Sequence, residues 1–204
     1  MPKNSTSVCL NRVDRATSFL QPRFRMNGRI AASHEDASNQ GALLNIFVLD
    51  LNIRKCARYH ADQHVVKMIL ESAQMLCTVL NQSGIKTPYR STHLHHPCTL
   101  WAGASLRNWK WLRSLALSLN DEFRYRFGKA VDHQSARVIK DLPAPPIPDS
   151  GLTEFAQAMP QQYRVPGDAV LAYRRFYIGE KSGFAVWTRR RVPLWFRQGV
   201  ADRK

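Results

Sequence analysis

A band of polar and ionisable side chains between Arg58 and Leu80 has the composition of a catalytic site. Projected as one helix of about 3.6 residues per turn, its members are spaced by fours and threes and share a narrow face. They are His60, His64, Lys67, Glu71, Gln74 and Thr78. The rest of the circumference is mainly apolar, the inverse of an ordinary surface helix. This pattern predicts a helix buried on most sides, whose polar band faces either an active-site cleft or a satisfied buried network.

The residue types in this band suit acid–base chemistry on an anionic substrate. Lys67 and Glu71 stand one helical turn apart and can form an ion pair. His60 and His64 titrate near neutral pH, so either can transfer a proton. Lys67 can also bind a phosphate as a point charge. The alternative interpretation is that Lys67 and Glu71 only neutralise each other.

The histidines also raise the question of a metal site. His60 and His64 have the spacing at which two imidazoles on a helix can share a metal ion, and the loop at 93–96 could add further imidazoles. Against this, Ala61 occupies the place of the glutamate in an HExxH motif, and the ammonium of Lys67 would repel a cation. We therefore predict no metal and no other cofactor.

The charge balance points to a polyanionic partner. The 204 residues contain 30 Lys and Arg against 15 Asp and Glu, a formal net charge of +15. Basic and aromatic residues are mixed at 107–111, 124–126 and 187–191, and this mixture is typical of nucleic-acid binding. No stretch approaches the roughly 18 consecutive apolar residues of a membrane span, so we expect no membrane partner. No phosphate-binding loop or dinucleotide fingerprint occurs, which argues against standard P-loop and Rossmann chemistry.

The elements that position these residues are predicted to be mainly α-helical. We expect a flexible basic arm or upstream extension at 1–42, followed by a single helical domain at 43–204. Its first residues, 43–50, are predicted as a short strand or extended segment. Further helices are expected from Thr99 to about Phe127 and from about Ala169 to Gly179, the latter capped by Asp168. The proline-rich stretch 141–150 should be a surface connection.

Several motifs together resemble a family of small proteins common in tailed phages. They are NIFVLD (45–50), CARYHADQHVVKMILESAQML (56–76), THLHHPCTLWAG (92–103), EFAQAMP (154–160) and AYRRFYIGEKSGFAVWTRRRVPLWF (172–196). In that family a D-K-H-V-V-K-M-x-L-E helix is followed by T-H-x-N-H-P-C. The chain is similar to the amino acid:DNA transferases of thymidine hypermodification from Leu43 to about Phe196. It departs from the pattern at Gln63, where Lys is commoner, and at His95, where Asn is commoner.

The resemblance implies an enzyme that acts in the cytoplasm of an infected bacterial host. Such phages convert thymine to 5-hydroxymethyluracil, phosphorylate the hydroxymethyl group within DNA, and replace the phosphate with an amino acid. In the members nearest this chain the amino acid would be glycine. The modified thymidine protects the genome from host restriction enzymes. The implied partners are double-stranded DNA carrying the modified pyrimidine and a free amino acid.

This chemistry suggests roles for the residues of the band. A leaving phosphate needs cations, an amino-acid nucleophile must lose a proton, and aromatic faces must hold the base outside the stack. We expect Lys67 and Arg190 to bind the phosphate, His64 or His60 to act as base or acid, and Glu71 to orient the pair. The other expected substrate- or DNA-binding residues are Gln74, His93, His96, Arg126, Lys181 and Trp187.

Two other functions stay open. A pyrimidine-dimer DNA glycosylase with lyase activity needs an amine nucleophile and a carboxylate, and Lys67 with Glu71 could supply them. The third possibility is a non-enzymatic DNA-binding protein whose polar band is only a buried network.

Overall fold

The computed structural model describes residues 44–203, and in this range the prediction of a mainly α-helical fold is confirmed. No residue from 44 to 203 is in a strand. The helices are α1 (Ile53–Tyr59), α2 (Asp62–Gln82), α3 (Pro97–Ala104), α4 (Leu106–Phe127), α5 (Gln134–Asp141), α6 (Ala169–Glu180) and α7 (Leu194–Ala201), with a 3-10 helix at Gln161–Tyr163 before α6. The predicted flexible arm at 1–42 lies outside the described residues.

Helix α2 is central to the packing and carries most of the polar band. It packs against α3, α4 and α5, while α1 packs on α4 and α6 packs on α7. Ile69, Ala73, Leu76 and Leu80 of α2 are fully buried. The buried face of α4 (residues 109–119) supplies the facing apolar side chains. The polar residues of α2 are therefore held by a well-packed helix, which fixes their positions.

The polar band does not lie on one continuous helix, and that prediction is wrong. Helix α1 ends at Tyr59 and α2 begins at Asp62, because the backbone of His60 and Ala61 is extended. The carbonyl of Arg58, which a continuous helix would pair with the N–H of Asp62, instead accepts from Arg126 at 2.8 Å. The N–H of Asp62 donates to Val186 at 2.8 Å. Both groups freed by the break are thus satisfied by distant parts of the chain.

A second predicted helix is also divided. The stretch from Thr99 to Phe127 forms α3 and α4, which meet at Ser105 in an extended conformation. The Ser105 hydroxyl accepts from the N–H of Arg107 at 3.2 Å, so it caps the start of α4. Downstream, the predicted helix α6 is confirmed with its cap, since the Asp168 carboxylate accepts from the N–H of Leu171 at 2.8 Å.

The first described segment, 44–50, is a buried irregular segment and not a strand. Leu44, Phe47, Val48 and Leu49 are all buried in the core. Buried backbone outside regular structure must find other hydrogen-bond partners. The N–H of Asn45 donates to a side chain of α2, as described below, and so this segment forms part of the site.

The proline-rich stretch has no regular structure after α5 ends at Asp141. Among the described residues, none of the helices is both long and apolar enough to cross a membrane.

Candidate functional site

Three side chains of α2 form a group with a lysine at the end of α6, whose charge acts on one of them. We call this group the His64 cluster; it consists of His64, Lys67, Glu71 and Lys181. Lys67 Nζ lies 3.1 Å from Glu71 Oε1, and the side chain of Lys67 is half exposed whereas that of Glu71 is buried. The charges of Lys181 and Lys67 both act on His64. The cluster thus combines a buried imidazole and a buried carboxylate with two ammonium groups, of which that of Lys67 is half exposed.

His64 is a buried imidazole held by aromatic rings. Its ring is stacked on Phe47 at 4.5 Å between centroids, and Phe184 meets it edge-on at 5.5 Å. Burial, with smaller contributions from His60, Lys181 and Lys67, lowers the pKa of His64 to about 3. An imidazole with this pKa is uncharged at neutral pH and is a weak proton acceptor.

The hydroxyl of Tyr177 determines which nitrogen of His64 carries the proton. Tyr177 is hydrogen-bonded to His64 Nδ1. Burial raises the pKa of the Tyr177 phenol well above its usual range, so the hydroxyl stays protonated and needs an acceptor. Because His64 Nδ1 is that acceptor, the imidazole proton sits on Nε2. His64 therefore offers a hydrogen-bond donor and not a free base.

Glu71 is the group of the cluster best suited to accept a proton. Its side chain is 6% exposed, with Oε2 accepting from the N–H of Asn45 at 3.0 Å. Burial raises the pKa of Glu71, while the contacts with Lys67 and the Asn45 N–H oppose that shift. A carboxylate whose pKa is moved towards neutrality is a stronger base than an exposed one.

Asn45 and two tyrosines of α6 complete the site and were not predicted. The hydroxyl of Tyr173 donates to Asn45 Oδ1 at 2.8 Å, and Asn45 Nδ2 donates to the carbonyl of Ala158 at 2.8 Å. These bonds fix the backbone that binds Glu71. Tyr173 and Tyr177 are four residues apart, so they lie on one face of α6. The four-residue spacing of these tyrosines is visible in the sequence, but ordinary core packing produces the same spacing, so it does not identify them as site residues.

The loop before α3 borders the cluster. His93 is exposed, adopts a positive φ of 51°, and is close enough for its charge to lower the pKa of Glu71. The His96 ring lies 6.4 Å from that of His93, and its Nδ1 accepts from the N–H of Cys98 at 3.2 Å, which caps α3. Gln74 is half-buried, one turn beyond Glu71 on α2. The structure thus places these three predicted residues beside the cluster.

Arg126 belongs to a separate group, the Glu122 cluster, which consists of Glu122, Arg126, Arg190 and Asp62. Arg126 is fully buried and bonds Glu122 Oε2 at 2.9 Å, Asp62 Oδ1 at 3.0 Å and the carbonyls of Arg58 and His60 at 2.8 Å each. The prediction that Arg126 binds substrate is wrong, because its guanidinium is occupied by the protein and inaccessible.

Arg190 and Trp187 are also engaged away from the His64 cluster. Arg190 makes a bidentate contact with Glu122, at 3.0 and 2.7 Å, and lies 4.1 Å over the ring of Tyr125. The structure does not bring it together with Lys67. Trp187 is buried, donates to the carbonyl of Tyr59 at 3.0 Å and packs on Phe196. The prediction that Trp187 binds a displaced base is wrong, because the faces of its ring are covered by the protein.

His60 is not part of an accessible site. It is fully buried, and its Nδ1 bonds the carbonyl of Cys56 at 2.8 Å. Its Nε2 is buried without a hydrogen-bond partner among residues 44–203. Burial lowers the pKa of His60 to about 4. The predicted direct catalytic role is wrong, because the ring lies beneath Phe47 and Tyr177 and cannot touch a substrate.

Within the described part of the chain, no group of three or more His, Cys, Asp or Glu side chains is arranged to hold a metal ion. Comparisons of the chain with protein-family models, curated proteins and solved structures give no significant match.

Proposed function

We propose that the protein is a transferase that attaches an amino acid, with glycine as the expected one, to phosphorylated 5-hydroxymethyluracil in double-stranded DNA. The observation that supports this best is the composition of the His64 cluster. The ammonium of Lys67 lies beside the buried Glu71 carboxylate, whose pKa is raised. The charge of Lys181 acts on the neutral imidazole of His64, which donates from Nε2. Displacement of a phosphate by an amine needs these three kinds of group.

The cations bind the leaving group. Lys67 and Lys181 take the role that the sequence had suggested for Lys67 and Arg190, because Lys181 is the second cation at the cluster. Lys67 is half exposed, so it can turn from Glu71 to an incoming phosphate. Fixed positive charge stabilises the electron pair that accumulates on the departing oxygen.

Glu71 acts as the base. The amino acid enters as an ammonium and gives one proton to the Glu71 carboxylate, which becomes more basic when Lys67 moves to the phosphate. The nitrogen lone pair then forms a C–N bond to the methylene carbon on C5 of the uracil. The C–O bond to that carbon breaks, and its electron pair leaves with the phosphate or pyrophosphate. His64 donates from Nε2 to the leaving group throughout.

A second candidate function is favoured by Lys181. Burial lowers the pKa of this lysine; the charge of Glu180 opposes that shift and the charge of Lys67 adds to it. An amine with a lowered pKa is more often neutral and can attack a sugar carbon, as in a glycosylase with lyase activity. That reaction would leave a Schiff base on Lys181. Borohydride would trap it as a stable protein–DNA adduct on irradiated DNA, whereas a transferase would give none.

The proposal is tested by turnover of DNA containing 5-phosphomethyluracil, measured as amino-acid adduct per enzyme. We expect Lys67→Ala, Lys181→Ala and Glu71→Gln each to lower turnover at least about 100-fold, since each removes a group that acts in the transition state. Lys86→Ala is the matched control, because this exposed lysine lies beyond the opposite end of α2. Near-normal turnover in all three cluster variants would contradict the proposal.

A further inference from the structure

The segment that follows α6 leads from the His64 cluster to the far end of α4. It begins at Lys181, and Phe184 packs against His64. The carbonyl of Val186 accepts from Asp62 at the start of α2. The guanidinium of Arg189 then donates to the carbonyl of Tyr125, near the end of α4, at 3.1 Å. One continuous stretch therefore joins the candidate active site to this second region.

The loop at 187–191 is fixed at three places. Trp187 donates to the carbonyl of Tyr59 at 3.0 Å, and Thr188 donates to the Asp62 carboxylate through its N–H at 2.9 Å and its hydroxyl at 2.6 Å. Arg190 donates two hydrogen bonds to the Glu122 carboxylate. Between these anchors Arg189 has a φ of 56°, a conformation that L side chains rarely adopt. Such backbone persists only where the surroundings enforce it, and it is commonest at ligand sites.

The anchored loop and the end of α4 together present cations to solvent. Arg124, Lys129 and Arg189 are exposed around the end of α4, and Arg191, two residues beyond Arg189, is exposed beside Tyr59 of α1. We call these four residues the α4-end surface. The nearby carboxylates of Glu122 and Asp62 are already bonded to Arg126. Asp132 lies 3.6 Å from Arg124 and also pairs with Lys140, so it offsets only part of the charge. Arg191 has no hydrogen bond or ion pair to any residue from 44 to 203.

We propose that the α4-end surface binds the phosphate backbone of double-stranded DNA and sets the register in which a base reaches the His64 cluster. Phosphate contacts supply most non-specific affinity and fix the orientation of a protein on the duplex. The guanidinium of Arg189 suits this task, because its bond to the Tyr125 carbonyl leaves this side chain less freedom to lose on binding. The choice of double-stranded DNA as the polyanion rests on the proposed function. Binding to unmodified DNA can still be measured without any transfer reaction.

The test is equilibrium binding to a short fluorescent duplex of ordinary thymine DNA over a range of salt concentrations. We expect the double variant Arg189→Ala/Arg191→Ala to raise Kd about 10-fold at moderate salt. The slope of log K against log salt should fall by nearly 2, because about 0.9 is lost for each phosphate contact. Arg191→Ala alone should show about half the change in slope, and it leaves the Arg189 bond to Tyr125 intact.

The control variant is Lys86→Ala/Arg90→Ala, which removes two exposed cations near the other end of α2, a helix of 21 residues that spans about 30 Å. We expect its Kd to change less than twofold. If both double variants lost the same amount of DNA affinity, the attraction would come from diffuse positive charge, and the proposal would be overturned. Tight, Arg191-dependent binding to anionic phospholipid vesicles without binding to DNA would also overturn it. A protein that binds duplex through this surface but transfers no amino acid would disprove the proposed function alone.

Discussion

Acidification should destabilise the folded protein in a way that depends on His64. The pKa of His64 is 6.5 in an unfolded chain and about 3 in the fold, chiefly because of burial. Its folded pKa is therefore the lower one, so the native state favours the neutral imidazole. The resulting stability is fully present above pH 6.5 and is lost as the pH falls towards 3. Protonation of the unfolded chain drives this loss.

The size of the effect follows from linkage. Between about pH 7.5 and about pH 5.0, a histidine with these two pKa values removes about 2 kcal/mol of unfolding free energy. His60, with a pKa of about 4 in the fold, removes about 2 kcal/mol more. The assay is urea unfolding followed by tryptophan fluorescence and far-UV circular dichroism at the two pH values.

The informative variant is His64→Gln. Each protein is compared with itself at the two pH values, so the direct effect of the substitution on stability cancels. We expect the acid-induced loss in His64→Gln to be smaller than in the wild type by about 2 kcal/mol, and His60→Gln/His64→Gln to reduce it by about 4 kcal/mol. An acid-induced loss in His64→Gln equal to that of the wild type would refute the conclusion that His64 is held neutral by burial.

Three further predictions concern individual side chains. Tyr177→Phe removes the donor to His64 Nδ1, so the nitrogen-15 shifts of His64 should lose the pattern of a single Nε2–H tautomer, while an unchanged pattern would mean that Tyr177 does not set it. Asn45→Ala should lower turnover more than duplex affinity, because it loosens the segment that binds Glu71; equal losses in both would speak for general unfolding. Arg126→Met should destabilise the fold by about 3–5 kcal/mol in urea unfolding, because it removes the buried cation that two carboxylates share and leaves two carbonyls without their donor; a loss of unfolding free energy below about 1 kcal/mol would contradict its structural role.

The parts of the fold that the sequence predicted are those with local causes. Periodic apolar residues identify α2, and a side-chain cap identifies the start of α6. The break between α1 and α2 has no local signal, because it is stabilised by Arg126 and Val186, both far along the chain. A helical projection of the sequence does not show such a break, so it places His60 on the polar band. In the structure His60 is fully buried behind that band.

The same limit applies to the site. His64, Lys67 and Glu71 could be grouped from sequence because they share one helix. Arg126, Arg190 and Lys181 could not be told apart as cations, since their roles depend on which carboxylate each meets after folding. Glu122 takes the two arginines, whereas Lys181 is left near Lys67. Asn45 was missed because its bond to Glu71 is made by the backbone, which carries no side-chain signature.

The most direct measurement is nucleoside mass spectrometry after reaction with DNA. The protein would be incubated with mixed amino acids and one of three duplexes, containing 5-phosphomethyluracil, its pyrophosphate form or ordinary thymine. We expect a new nucleoside with the mass of an amino-acid adduct, glycine first, from a phosphorylated duplex and none from thymine DNA. An unchanged nucleoside profile from every duplex, under conditions where the protein binds DNA, would contradict the proposed transfer reaction.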